Sequence, residues 1–470
     1  MSSNYRAGEF FIESIAIVTQ SGEVVDIRKL VAAFNLYESV YDMFTTGSVA
    51  LVDTQNLTKQ FEFTGQENIR ISVRQKEGLE EKSSNEDSID KTFRIYKTQN
   101  IQQLNQSTQS YVLHFHEPRL TQVLKTRLSK VFMGSYSAMA LGVMTETIKL
   151  RPEETEYWAD TLPANNQFIA PDWTVKECIQ HFVKNANTSS DAPFRNSCFF
   201  FQTLNGGFRF QDLASMYQRE HPVVFNTNPK NVDLQSMESN INSSRGLNTQ
   251  ILKVTRPSSF NTLSAIRNGM FASRMQVWNP ITQRIDEKIY DMSDAFSRDG
   301  HMHEPNVHLD SPEITLTADD AMGGGDQTYS QTEVEPALKD TYDSVVKHVD
   351  TMVHAYGNAK SLDEEEKFLG ETYDSNGILE REALLELLKQ NVYTVVVPFR
   401  TDLTVGTVVR LNMHEIESTK DGGTADKNND NRFLVTSLKI TGIPQDNQGT
   451  LTMDCVREGI AKKLQESVSA

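Results

Sequence analysis

Cysteine is nearly absent: Cys178, Cys198 and Cys455 are the three in 470 residues. They are too few and too widely spaced for a disulfide framework or a four-cysteine zinc site, and a reducing folding compartment fits them. Basic charge is also short, with 46 Lys and Arg against 63 Asp and Glu and a formal net charge of -17. Wrapping duplex nucleic acid draws on clustered Lys and Arg that displace condensed counterions, so no sequence-specific nucleic-acid binding is expected. Long apolar runs are missing as well. The longest uncharged apolar-rich stretch, Val131 to Met144, has 14 residues and two serines, short of the roughly 20 that span a bilayer. Arg6 and Glu9 near the start break any basic-then-apolar leader design, so neither a secretion peptide nor a membrane anchor is expected.

Catalytic fingerprints are lacking too. There is no Gly-x-Ser-x-Gly elbow, no phosphate loop ending in Gly-Lys-Ser/Thr and no Gly-x-Gly-x-x-Gly. The densest ligand cluster, His301, His303, Glu304 and His308, fails the helical zinc pattern, because the last two histidines are five apart with Pro305 between them. Asp426, Asn428 and Asp430 alternate like the start of a calcium loop, and Asp374, Asn376 and Gly377 resemble one faintly. Neither places an acid, a glycine and a bidentate Glu at the first, sixth and twelfth positions, so turn chemistry is expected at both. His114 and His116 share one strand face without a third ligand nearby, and a solvated or interface face is expected there. No cofactor, no metal and no enzymatic activity are expected.

What is present is mostly β. Ile69, Ile71 and Val73 alternate with polar residues, as do Tyr111, Leu113 and Phe115, while Val49 and Leu51 follow Gly47 in the same way. That is the period of a strand with one buried face. Arg74 to Thr92 between them reads as a polar loop. From about Lys125 the period changes: Ala138, Leu141, Met144 and Ile148 predict a helix with one apolar stripe. Thr174 and Glu177 have the spacing of a capping box at the start of a second helix, whose apolar face is Val175, Ile179, Phe182 and Val183. Phe199, Phe201 and Thr203 lead into Asn205-Gly206, and Phe208 and Phe210 return, which predicts a tight hairpin. A second hairpin is expected over Met270 to Asp291, turning at Asn279-Pro280. Gly323 to Gly325 mark a linker. A helical region follows from Ser361, with Ala383, Leu384, Leu387 and Leu388 on its apolar face and its end near Gln390; Val392 to Phe399 is β again.

Two β segments repeat at a separation of 340 residues. Ile69, Ile71 and Val73 fall on Val409, Leu411 and Met413; Phe93 and Ile95 fall on Phe433 and Val435; Leu113 and Phe115 fall on Met453 and Cys455. The long polar segments between them align without a gap. We read this as a duplicated β module whose second copy is interrupted by an insertion between its first hairpin and its last strands.

The run from Phe34 to Val73, with Gly47-Ser48-Val49-Ala50-Leu51-Val52-Asp53 and Gly65-Gln66-Glu67-Asn68-Ile69, resembles the start of the baseplate hub proteins of T4-like contractile-tailed phages. So do Leu113-His114-Phe115 ahead of Lys125 to Lys130, the Phe199 to Phe210 hairpin and the closing strand Thr450 to Val456. Residues 301–390 match no part of that family. The resemblance implies an α+β, β-rich fold with two tail-tube-like antiparallel β-barrel or sandwich modules, an inserted small α/β domain and a helical insertion. The expected division is a first module over 1–122, the α/β domain over 123–217, a discontinuous second module over 218–300 and 391–461, the insertion over 301–390 and a tail over 462–470.

It further implies a structural virion protein of the tail baseplate, assembled in the host cytoplasm. As a homotrimer, its six modules would adapt six-fold to three-fold symmetry and form part of the DNA conduit, with the central spike, tail tube and baseplate wedge proteins as partners. The candidate ring-edge strands carry Val49, Leu51, Ile69, Ile71, Val73, Leu113 and Phe115 in the first copy, and Val409, Leu411, Met413, Val435 and Met453 in the second. Two alternatives stay open: a receptor- or carbohydrate-binding tail protein, and a tail-associated hydrolase of the cell envelope.

Overall fold

The computed structural model describes residues 7–60, 63–76, 88–161, 166–188, 197–227, 248–258, 261–279, 284–292, 344–350, 375–413 and 432–458. The first copy is built from β1 (Phe10–Val18), β2 (Val24–Asp26), β3 (Val31–Ser39), β4 (Thr46–Asp53), β5 (Asn68–Gln75), β6 (Ser88–Gln103) and β7 (Gln109–His116). The α/β domain follows with β8 (Arg127–Leu128), β9 (Val131–Gly134), β10 (Thr155–Trp158), β11 (Asn166–Ile169), β12 (Trp173–Thr174), β13 (Cys198–Gln202) and β14 (Phe208–Asp212). Then come β15 (Glu220–Asn226), β16 (Lys253–Ser258), β17 (Ala272–Asn279), β18 (Arg284–Asp291) and β19 (Ser344–Asp350). The chain closes with β20 (Asn391–Pro398), β21 (Val408–Asn412), β22 (Arg432–Ile443) and β23 (Gln448–Arg457).

Both copies lie in one 13-stranded sheet of order β16-β20-β23-β22-β3-β4-β7-β6-β5-β1-β2, with β21 on β22 and β15 on β21. Within this sheet the strand pairs are antiparallel except β15 with β21. Among the described residues the sheet does not close into a barrel: the β22–β3 seam joins the copies, and an isolated bridge of Glu9 with Gln448 adds a second main-chain contact between them ahead of β1.

The repeat holds at the level of hydrogen-bond register. Ile69 pairs with Phe93 as Val409 pairs with Phe433. Ile95 pairs with Phe115 and Thr98 with Leu113, as Val435 pairs with Cys455 and Leu438 with Met453. Both meanders slip by one residue at the same place, between Ile95 and Lys97 and between Val435 and Ser437. The N–H of Ile95 bonds the carbonyl of Glu67 at 2.9 Å and that of Val435 the carbonyl of Thr407 at 2.9 Å, again 340 residues on. A shared bulge is a structural landmark that alternation alone does not create.

Alternation also explains the core. Ile69, Ile71, Val73, Phe93, Leu113 and Phe115 are fully buried, as are Val409, Phe433, Val435 and Met453. Each fully buried phenyl ring contributes about 2 to 3 kcal/mol of transfer free energy. The α/β domain keeps a core of its own from Val123, Met139, Val143, Met144, Ile179, Phe182, Phe200 and Phe210.

Several expectations need correction. The polar segment over Arg74 to Thr92 is shorter than its composition suggested, since β5 runs to Gln75 and β6 starts at Ser88. Of the charged residues at these strand ends Asp90 is exposed, whereas Arg74 and Lys91 are half-buried. The helix Tyr136–Ile148 forms as expected, but its buried side chains are Ser137, Met139, Ala140, Val143, Met144 and Ile148, whereas Ala138 and Leu141 face outward. The Ser135 cap starts the helix, and Ser137 turns inward because the Thr161 hydroxyl takes its N–H at 2.9 Å. The hairpin β17–β18 exists, yet it pairs with β19 in a three-stranded sheet of its own, and the second copy opens instead with β16 and β20. Its Asn279-Pro280 turn extends into residues outside those described, as do the Gly323 to Gly325 stretch and Ser361. The last helix is Ser375–Gln390, with Ala383, Leu384, Leu387 and Leu388 buried.

Candidate functional site: the seam between the copies and the free strand edges

The seam is made by β22, which outruns β21. Residues 432–434 of β22 pair with β21, while Ser437 to Gly442 pair with β3, from Ser437 opposite Ser39 to Gly442 opposite Phe34. Leu438 and Ile440 of this reach are buried. The seam therefore joins residues about 400 positions apart by main-chain hydrogen bonds, which tolerate divergence of side chains. Thr441 Oγ1 adds a bond to Asn35 Oδ1 at 2.9 Å.

A buried polar network locks the α/β domain onto both copies. Glu38, on β3, is 3% exposed. Its carboxylate accepts the N–H of Leu204, in the α/β hairpin, and of Val405, ahead of β21, each at 2.9 Å. Burial pushes the Glu38 carboxyl above its usual range, and the two N–H bonds oppose that shift. Arg209, on β14, is wholly buried. It forks onto Glu156 at 2.8 and 2.5 Å and donates to the Val405 carbonyl at 3.1 Å. Burial works against the Glu156 charge, but Arg209 and Arg219 prevail and hold its carboxyl below the ordinary value. Lys91, on β6, donates to the Thr203 carbonyl, and burial lowers its ammonium. An open polar cleft beside this network is lined by Asp90, Lys91, Glu117, Arg119, Glu154 and Glu156. Four of its carboxylates are partnered: Asp90 by Arg70, Glu154 by Arg119, Glu156 by Arg209, and Glu117 by the Gln202 amide at 3.2 Å.

The strands named from the sequence are brought together, but their marked side chains are not at an edge. Val49, Leu51, Ile69, Ile71, Val73, Leu113, Phe115, Val409, Leu411, Val435 and Met453 are all at most 1% exposed, and Met413 is half-buried against the same core. Alternation reports which face is buried, whereas an edge is defined by unpaired main chain in the sheet plane. Among the described residues the open main chain lies instead along β2, along β16, along most of the outer side of β15 and along the outer half of β6, whose pairing with β5 stops at Arg94. Glu38 and Arg209 escaped sequence reading; the available signal was a charge inside an apolar strand run, as in Phe208-Arg209-Phe210.

His114 and His116 sit beside Tyr96, with ring centroids 6.3 and 5.3 Å away, and His116 Nδ1 lies 2.6 Å from the Glu117 carbonyl. Burial, helped by Lys97, holds the His114 imidazole below its ordinary value. Asn376 and Gly377 stand in the first turn of the last helix, which replaces the loop that a calcium site there requires. Asp374, the His301 to His308 cluster and the Asp426 to Asp430 run lie outside the described residues. Among the described residues no group of three His, Cys, Asp or Glu side chains is placed to hold a metal, and no helix is long and apolar enough to cross a membrane.

No protein-family model matches the chain, and no curated protein matches its sequence. Solved structures do match in the course of the chain. The 43 kDa tail protein of prophage MuSo2 from Shewanella oneidensis is 9% identical with a TM-score of 0.49, over 95% of this chain and 98% of that one. A tail protein from Neisseria meningitidis is 8% identical with a TM-score of 0.48, over 96% and 98%. The E. coli c3393 protein, a type VI secretion system component described as similar to T4 bacteriophage tail proteins, is 8% identical with a TM-score of 0.41, over 97% and 79%. The neighbours are thus phage tail proteins and their secretion-system counterparts.

Proposed function

We propose that this chain is a structural, non-enzymatic component of a phage tail and serves as its baseplate hub, joining the tail tube to the central spike. The observation that carries this reading is the duplicated meander: two copies with one hydrogen-bond register and one shared bulge, placed side by side in a single sheet. Duplication lets a three-fold assembly present six similar modules, which is what a part between a six-fold tube and a three-fold spike requires. Wedge proteins would contact its outer face, and the working place is the virion tail, reached by assembly in the host cytoplasm.

Light scattering on the purified full chain, followed by electron-microscope class averages, tests this. The expected result is a trimer that appears as a ring of six similar densities. A monomer at all concentrations that binds a glycan or calcium saturably would instead establish the receptor-binding reading. Clearing of peptidoglycan lost on changing a single acid would establish the hydrolase.

A further inference from the structure

The copies differ at one place where equivalence demands they be alike. In the second copy β22 outruns β21 and its free reach is covered by β3 of the first copy. In the first copy β6 outruns β5 in the same way, but the outer edge of residues 96–103 has no partner among the described residues. That reach is exposed throughout apart from Thr98, and it carries Tyr96 at 54%, Ile101 at 62% and, just beyond, Leu104 at 57%.

The counterpart of β3 in the second copy is β16. Phe34, Asn35 and Tyr37 pair with Val49, Ser48 and Thr46 of β4. Val254, Thr255 and Ser258 pair with Val395, Thr394 and Val392 of β20. The strands β4 and β20 are themselves equivalent, because Val49 lies opposite Leu113 and Val395 opposite Met453. β3 is covered by β22, whereas β16 is the terminal strand of the sheet, with Leu252 exposed at 52% and Val254 at 36%. One copy thus leaves the donor strand open and the other leaves its acceptor open, at two distant places of the same sheet.

We propose that these two edges meet between molecules: the outer half of β6 of one chain pairs antiparallel with β16 of the next, repeating the β22–β3 seam. The equivalences set the register. Lys439 opposite Tyr37 becomes Gln99 opposite Ser258, Thr441 opposite Asn35 becomes Gln102 opposite Thr255, and Gly442 opposite Phe34 becomes Gln103 opposite Val254.

A second observation arises independently of that mapping. β6 holds one extra residue between Gln99 and Gln102, where Asn100 takes a positive φ of 55°. β16 holds one extra residue between Thr255 and Ser258, the interval that contains Pro257. β22 and β3 have neither irregularity where they face each other. The two extra residues fall at the same level of the proposed pair, opposite the position of Ile440 and Leu36 in the seam, so each strand bends where its partner bends and the register is kept on both sides. Proline fits such a bulge because it has no ladder N–H to offer.

The contact is head-to-tail, so it closes into a ring only for a fixed number of copies. It rests on the trimer proposed above for that number, not for its register.

Paired cysteines test it. Gln102→Cys with Thr255→Cys, and Gln103→Cys with Val254→Cys, are made in the full chain; the three native cysteines are buried and stay silent. Mild oxidation is expected to give covalent trimers through at least one of these pairs, since only non-hydrogen-bonded partners sit close enough for unstrained bridging. The offset pair, Gln102→Cys with Val254→Cys, is expected to cross-link at least tenfold less. All four positions are at the surface, and light scattering of the reduced variants checks that they assemble as the unaltered chain does. A trimer in which neither matched pair cross-links above the offset pair overturns this contact and leaves the hub reading standing. A chain that stays monomeric at every concentration overturns both.

Discussion

In the first copy the ring packed on Phe93 comes from Phe115 on β7, with centroids 4.9 Å apart; in the second the ring packed on Phe433 comes from Tyr393 on β20, at 5.2 Å. Phe93 and Phe433 are equivalent, but the second ring has moved to the neighbouring strand. Where the first copy has Phe115 opposite Gly47, the second has Cys455 opposite Tyr393. A Cβ on Gly47 would stand 2.3 Å from the Phe115 ring, so the glycine is there to seat that ring. The arginine shared by the copies changes partner in the same manner: Arg70 binds Asp90 of β6, and Arg410 binds Glu220 of β15. The outer strand differs too, with β1 antiparallel to β5 but β15 parallel to β21. What duplication preserved is main-chain register; which strand supplies volume and charge drifted by compensating exchanges.

The largest effects should come from breaking one such exchange. Phe115→Cys alone is expected to cost about 4 kcal/mol of unfolding free energy, the range for emptying a buried phenyl site, and Gly47→Tyr alone about 3 kcal/mol, the upper range for overfilling a packed core. Made together they transplant the second copy's solution, and the pair should be at least about 1 kcal/mol less damaging than the sum, the coupling expected of residues in contact. Urea unfolding of the single and double variants reads this, and strict additivity would refute the exchange.

Next in size is the clamp that holds the α/β domain to the second copy. Arg209→Met leaves Glu156 without its main partner and the Val405 carbonyl without its donor. Because Glu156 is about a third exposed, we expect the lower end of a broken buried pair, about 3 kcal/mol. Protease should then cut near Arg209 or Thr404 well before either β meander is digested.

A smaller effect separates the α/β domain from the modules by pH. Burial, with Lys184 adding to it, holds the His181 imidazole down to about 4 against an ordinary 6.5. The ring stacks on Phe168 at 4.4 Å. In the interval between those values the unfolded chain binds the extra proton and the fold does not, so this contribution is complete above pH 6.5 and is lost as pH falls toward 4. Allowing for partial exposure, roughly 2 kcal/mol is at stake. The α/β domain should therefore loosen in that window, seen by hydrogen exchange, and His181→Phe should flatten the slope.

The smallest effect is expected at the bulge. Tyr96 is exposed at 54% while its equivalent Thr436 is 3% exposed under the seam. Tyr96→Thr should change the stability of a single chain by less than about 0.5 kcal/mol, as surface changes do, while weakening self-association measured by sedimentation. A large loss of single-chain stability would mean that Tyr96 serves the core and not an interface.

Local pattern determined a good part of this molecule. Alternation at Ile69 to Val73 and Leu113 to Phe115 placed strands, Thr174 with Glu177 placed a capping box, whose reciprocal bonds form at 2.7 and 3.3 Å, and Asn205-Gly206 placed a hairpin. The separation of 340 residues shows the duplication in the sequence itself, because hydrophobic burial stamps its period on each strand by itself. Tertiary structure alone decided the rest. That β22 crosses to β3, that β17 and β18 leave the large sheet, and that Glu38 meets Leu204 and Val405 all depend on partners hundreds of residues away. So does the distinction between core and edge: a side chain's period says which face is buried, while the availability of a strand's N–H and C=O groups is set only by which neighbour arrives beside it.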